Sequence, residues 1–186
     1  MHATAHPVEG EEPALGSTGT ATLTDGRWTV RPEEAAASFT VRKLGLIRVR
    51  GGFTVSGATV TVAGGRPVTA TATLDAASVR TGNAKRDKDL AGRRFFRAAE
   101  HPRIGLHCDT VVSDGDGWRA EAVLAVAGGD APLELRAVRL PDPAPGVVQV
   151  RATGVLDRAA TPLRAPRWLI GRQVSVQVDA TLRLDG

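Results

Sequence analysis

The sequence predicts an all-β protein, with about eight antiparallel strands in an up-and-down barrel and one short helix inserted midway. Three observations carry this. Apolar residues make up 42% of 186, enough for a core, while 21 glycines and 11 prolines favour many strands joined by turns over a helical bundle. Apolar and polar residues alternate with period two in run after run. Many runs are longer than an ordinary strand. The turns and alternation alone fit a barrel or a sandwich. Long strands joined in sequence favour the barrel, because closure removes exposed edges.

Residues 1–25 are small, polar and rich in Gly, Pro and Thr, and read as a disordered or loosely attached tail before a domain spanning 26–186. In the first strands, Phe39 and Val41 alternate with Thr40 and Arg42, and Val49 leads into Phe53 and Val55. Next, Ala70, Ala72 and Leu74 alternate with Thr69, Thr71 and Thr73. Residues 83–90 (NAKRDKDL) break the pattern and predict the helix. Asn83 is its N-cap, acidic Asp87 and Asp89 lie near its start, and Gly92 ends it. Leu90, Phe95 and Phe96 supply its apolar contacts.

A strand begins near Arg103. Later apolar lines are Trp118-Ala120-Ala122-Leu124-Val126, Leu133-Leu135-Ala137 and Val148-Val150-Ala152-Gly154. The clearest is last, with Val174, Val176, Val178, Ala180, Leu182 and Leu184 on one face. Turns are marked by Gly64-Gly65-Arg66-Pro67, Asp114-Gly115-Asp116-Gly117, Gly128-Gly129-Asp130 and the proline-rich 141–146.

Composition excludes several classes. The single cysteine, Cys108, rules out an intramolecular disulfide and a thiolate zinc site. A net charge of +4 without a basic stripe gives no case for nucleic acid. The longest apolar stretch, 122–129 (AVLAVAGG), is far too short to span a bilayer, so stable membrane insertion is not expected. The N-terminus carries Glu9, Glu11 and Glu12 and no apolar signal region, so a cytoplasmic location is expected.

No catalytic constellation stands out. His2 and His6 lie in the tail, His101 precedes Pro102, and His107 sits in a strand, without metal-ligand spacing. There is no nucleophile elbow and no phosphate loop. Neighbours His107 and Cys108 point to opposite faces of a strand, so Cys108 reads as an inert buried thiol. Asp87 and Asp89, two apart on a helix, make no carboxylate dyad. No metal, cofactor or enzymatic activity is expected.

One stretch is specific. Residues 77–90 (ASVRTGNAKRDKDL), followed by Phe95-Phe96 and His101-Pro102-Arg103-Ile104, closely resemble the YceI-like polyisoprenoid-binding family and its T-G-N-x-x-R-D-x-x-L motif. Trp28-Thr29-Val30, Phe39-Thr40-Val41-Arg42, Leu44-Gly45 and Val49-Arg50-Gly51-Gly52-Phe53 match upstream, and Asp157-Arg158 and residues 170–174 (IGRQV) downstream. The resemblance implies an eight-stranded lipocalin-like barrel around an elongated apolar cavity that carries an isoprenoid lipid or quinone. The family's His-Ser before F-x-V is here Glu34-Ala35, its histidine after F-x-V-[KR] is Lys43, and its serine after L-G-x is Ile47. These departures point to a different head group or to no lipid ligand.

The inward residues are mostly Ala, Val and Thr, which leaves volume in a barrel of this size. Phe39, Val41, Phe53, Leu74, Leu106 and Leu124 are candidates for the cavity wall, with ordinary core as the other reading. Phe95 and Phe96 either gate the mouth or anchor the helix. Arg86 and Asp87 read as a structural salt bridge and cap. Trp168, in the loop before the last strand, is expected to pack on the barrel; contact with a ligand or partner is the other reading. Two functions follow. One is non-catalytic carriage or sequestration of a long apolar molecule. The other is a filled-barrel interaction module, possibly a homodimer. An enzyme ranks third, for want of a nucleophile–base pair.

Overall fold

The computed structural model describes residues 22–164 and 170–185. The strands are β1 (Gly26–Lys43), β2 (Ile47–Phe53), β3 (Val55–Ala63), β4 (Arg66–Asp75), β5 (Arg103–Asp114), β6 (Gly117–Val126), β7 (Gly129–Arg139), β8 (Val147–Asp157) and β9 (Ile170–Leu184). The helix is α1 (Ala84–Ala91), between β4 and β5. Every pairing is antiparallel, and neighbours in sequence are neighbours in the sheet except where β1 intervenes.

β1 organises the sheet. Its first half pairs with β3 (Val30 opposite Ala58) and its second half with β2 (Ala37 opposite Phe53). Only Thr54 separates β2 from β3, so these two form one bent return strand. The opposite edge of β1 pairs with β9 and closes the ring (Phe39 opposite Val176). The closed ring has eight strands, as the sequence predicts. β2 is a ninth, paired with the second half of β1 and extending beyond the ring.

β1 runs 18 residues only because it is interrupted. Its register with β9 shifts between Val30 and Ala35. Pro32 lies in that gap, where a residue without an N–H costs no ladder bond. Glu34 and Arg183 bridge the gap with a bidentate pair, Arg183 Nε donating to Oε2 at 3.0 Å and Nη2 to Oε1 at 2.5 Å. The guanidinium holds the Glu34 carboxyl below the usual carboxylate range.

One end of the barrel is plugged by Leu23, Trp28, Val30, Val62, Trp118, Val148 and Leu182. Leu23 revises the boundary of the tail. It is 5% exposed, and its N–H donates to Gly65 O at 2.9 Å. Trp28 Nε1 donates to Thr24 O at 2.9 Å. Asp25 accepts from Gly64 N (3.0 Å) and Gly65 N (2.7 Å), in a turn where both glycines are left-handed. Residues 22–25 are therefore part of the barrel. A polar, Thr-rich composition gave no sign of this, because one leucine carries the attachment. The remainder of the tail, residues 1–21, lies outside the described residues.

The tight turns at 64–65 and 115–116, the longer 140–146 connection and residues 22–25 gather at this plugged end. At the other end lie the 76–102 connection, which contains α1, and residues 158–164, which follow β8.

Leu23→Ala is expected to cost about 2 kcal/mol or more in denaturant unfolding; a change under about 0.5 kcal/mol would show that residues 22–25 do not complete the plug. The Asp25 carboxyl is held below its ordinary range first by the Gly65 N–H and then by that of Gly64. Its contribution is complete above the unfolded carboxylate value and is lost as pH falls through the lower folded value. Asp25→Asn should flatten that acid limb of stability, and an unchanged limb would contradict the assignment.

Candidate functional site

Above the plug the barrel is hollow. A cavity of about 540 Å3 runs from Ala58 and Ala180 near the plug to Lys43 and Ile170 at the mouth. Ten strand steps at about 3.3 Å, tilted as barrel strands are, make it roughly 25 Å long. β1 contributes Ala35, Ala37, Phe39 and Val41, and β9 contributes Val174, Val176, Val178 and Ala180. Apart from Phe39 these are small for inward positions, and their size leaves the interior open.

Phe39, Val41, Phe53, Leu74, Phe95, Phe96, Leu106 and Leu124 all line this cavity. The sequence reading did not single out the alanines of the deep wall, nor Val174, Val176 and Val178, as wall residues. The signal was available: the inward face of the last strand is the most regular alternation in the chain. Small residues read as filler until the ring they line is known to be closed.

Near the mouth three phenylalanines stack in series. Phe39 and Phe53 have ring centroids 5.6 Å apart, and Phe53 meets Phe96 edge-on at 5.1 Å. Gly51 stands directly across from Phe39, and a Cβ there would lie 2.4 Å from the ring. The glycine lets the ring lie flat on β2 instead of projecting into the cavity. Phe96 also packs with Ala76, Ala98, Ile104 and Val126. It is an anchor and a wall at once.

α1 stands over the mouth, and the specific motif explains how it is held. Asn83 Oδ1 caps the helix by accepting from Arg86 N at 3.0 Å. Thr81 is the hub. Its N–H and hydroxyl donate to Asp87 Oδ1 at 2.9 and 2.5 Å. Its hydroxyl oxygen accepts from Arg86 Nε at 2.7 Å, and its carbonyl accepts from Arg86 Nη2 at 2.8 Å. The expected Arg86–Asp87 salt bridge is thus replaced by two sets of bonds meeting on Thr81. Adjacent helical residues do not face each other, so a shared third residue joins them. Arg80 exchanges two backbone hydrogen bonds with Gly52, tying this loop to β2.

The other mouth loop is held by the Asp157-Arg158 pair. Asp157 accepts from Ala159 N at 2.9 Å and pairs with Arg172. Arg158 is buried and donates to the carbonyls of Leu163, Ile170 and Gly171 at 3.1 to 3.3 Å. Among the described residues, charged side chains reach the cavity wall only at this end, namely Lys43, Lys85, Arg86, Asp89 and Arg158.

The four departures from the family pattern fall in different places. Glu34 serves the β1–β9 bridge, Ala35 lines the deep cavity, Lys43 sits on the rim, and Ile47 is 55% exposed. Cys108 is buried facing inward, where burial first and Asp109 second push its thiol up. His107 faces outward and pairs with Asp109 at 2.8 Å. Among the described residues, no group of three or more His, Cys, Asp or Glu is placed to hold a metal. Trp168 lies outside the described residues.

Gly51→Val is expected to push the Phe39 ring off β2 into the cavity, at a cost of about 1–3 kcal/mol. Denaturant melts that match the wild type would show that the glycine is not needed for this packing.

No curated protein matches the chain significantly in sequence. Among solved structures, Burkholderia cenocepacia BcnA aligns with a TM-score of 0.72 and 16% identity, covering 82% of this chain and 98% of its own. A polyisoprenoid binding domain from Saccharophagus degradans, implicated in plant cell wall breakdown, aligns at 0.65 and 16%, covering 85% and 98%. A Campylobacter jejuni YceI protein aligns at 0.68 and 18%, covering 76% and 88%. At these identities the likeness is one of fold. The sequence itself matches the model of the YceI-like domain over residues 28–182, and the chain belongs to that family.

Proposed function

We propose that this protein is a non-catalytic carrier or sequestering protein that binds a long apolar molecule, an isoprenoid lipid or quinone, in its barrel. The observation that carries the reading is the cavity: about 540 Å3, plugged at one end, with the charged wall residues among those described all at the other. That volume lies in the range of small-molecule sites. An elongated apolar tube fits a chain better than a compact ligand. Each buried methylene contributes about 0.8 kcal/mol, so a five-carbon unit contributes roughly 4 kcal/mol before the cost of association. Phe39, Val41, Phe53, Leu74, Leu106 and Leu124 form the chain-contacting wall in this reading, and Phe95 and Phe96 frame the mouth. The Saccharophagus degradans relative, a polyisoprenoid binding domain, supports the ligand class. The inward thiol of Cys108 has its neighbouring imidazole on the opposite face, which supports binding over catalysis.

The test is native mass spectrometry of the purified protein, before and after incubation with a long-chain prenol or prenyl quinone. A one-to-one hydrophobic adduct is expected. Leu106→Trp, which fills the tube, should weaken uptake at least tenfold while the protein still melts cooperatively. An apoprotein that takes up neither compound would overturn the proposal.

A further inference from the structure

The β1–β2 hairpin carries a feature that cavity binding does not require. Its tip, residues 42–50 (RKLGLIRVR), places Leu46 at 88% exposure, Ile47 at 55% and Leu44 at 48%. The turn is a left-handed pair, Leu44 at φ 52° and Gly45 at φ 72°, closed by Leu46 N donating to Lys43 O at 3.2 Å. Asn-Gly is the favoured sequence for such a turn, and leucine is a poor choice on backbone grounds. Arg42 stands directly opposite Arg48 across the hairpin, a like-charged pair that weakens a ladder. Arg50 follows two residues later and Lys43 precedes the tip. None of these four cations has an ion-pair partner among the described residues. Strained exposed leucine and unneutralised arginine thus break local rules at one spot, which marks a site where something outside the chain compensates.

We infer that this tip docks the barrel mouth onto a bilayer containing anionic lipid. Leu44, Leu46 and Ile47 enter the boundary between head groups and acyl chains, while Arg42, Lys43, Arg48 and Arg50 meet the phosphates. A convex apolar tip ringed by cations matches the layered chemistry of that interface. The tip is continuous with the mouth: Lys43 and Val49 line the cavity. Docking would therefore face the opening toward the membrane. No helix among the described residues is long and apolar enough to cross a membrane. The inference goes beyond the proposed cargo and stands whether or not the cavity holds an isoprenoid.

The test is co-sedimentation of the full chain with phosphatidylcholine vesicles, with and without phosphatidylglycerol. Binding is expected only with the anionic lipid, and it should weaken as salt rises. Arg48→Glu should weaken it about fivefold or more, and Leu46→Asp about tenfold or more. Both side chains are exposed, so both variants should melt like the wild type. Leu46→Trp should show a blue-shifted emission on anionic vesicles only. A wild type that stays in the supernatant, or Arg48→Glu and Leu46→Asp variants that sediment as it does, would overturn the inference. Prenol uptake from solvent, measured on the same proteins, keeps the two proposals apart: it should be unchanged in Leu46→Asp.

Discussion

The pairing of β1 with β9 is the constraint on which the rest depends. It turns an open antiparallel sheet into a ring, with β2 extending beyond it. It also commits the inward residues of every strand to one enclosed space. In most small domains that space is packed to the density of an organic crystal. Here Ala35, Ala37, Ala58, Val178 and Ala180 are too small to meet across it. The volume exists because closure is fixed by backbone hydrogen bonds, while filling was left to side chains that cannot reach.

The two ends of the ring are built on opposite principles. At the plugged end, two tryptophans and five aliphatic residues fill the cross-section, and Asp25 and Leu23 bring in the chain that precedes β1. At the mouth, polar groups hold the loops beside a small apolar cluster that anchors Phe96. Thr81 gathers Arg86 and Asp87, and Arg158 gathers three carbonyls. Hydrogen bonds fix the loops around the opening without filling it, which explains why the most specific motif of the sequence lies where the structure is least regular.

Much of this was legible in the sequence because it rests on local rules. Period-two alternation located the strands, and the cap at Asn83 and stop at Gly92 bounded the helix that the structure places at 84–91. Phe39, Val41, Phe53, Leu74, Leu106 and Leu124 all line the cavity, and alternation offered them as wall or core without separating the two. What was not legible depends on non-local geometry. Leu23 is an isolated apolar residue among polar ones, and only the barrel end gives it a pocket. Arg86 and Asp87 looked like partners by charge, yet helical geometry sends both to Thr81. The hairpin tip matched a family motif, and nothing in the alternation showed that Leu46 would stand almost wholly in solvent.

The central claim is that the tube is an apolar site open to a long chain. Isothermal calorimetry with a long-chain prenol, run at several temperatures, tests it most directly. Burial of apolar surface gives a negative heat-capacity change on binding. One-to-one stoichiometry with a clearly negative heat-capacity change is expected, both lost in Leu106→Trp. Binding with no heat-capacity change, or binding that Leu106→Trp leaves intact, would place the ligand outside the barrel and contradict it.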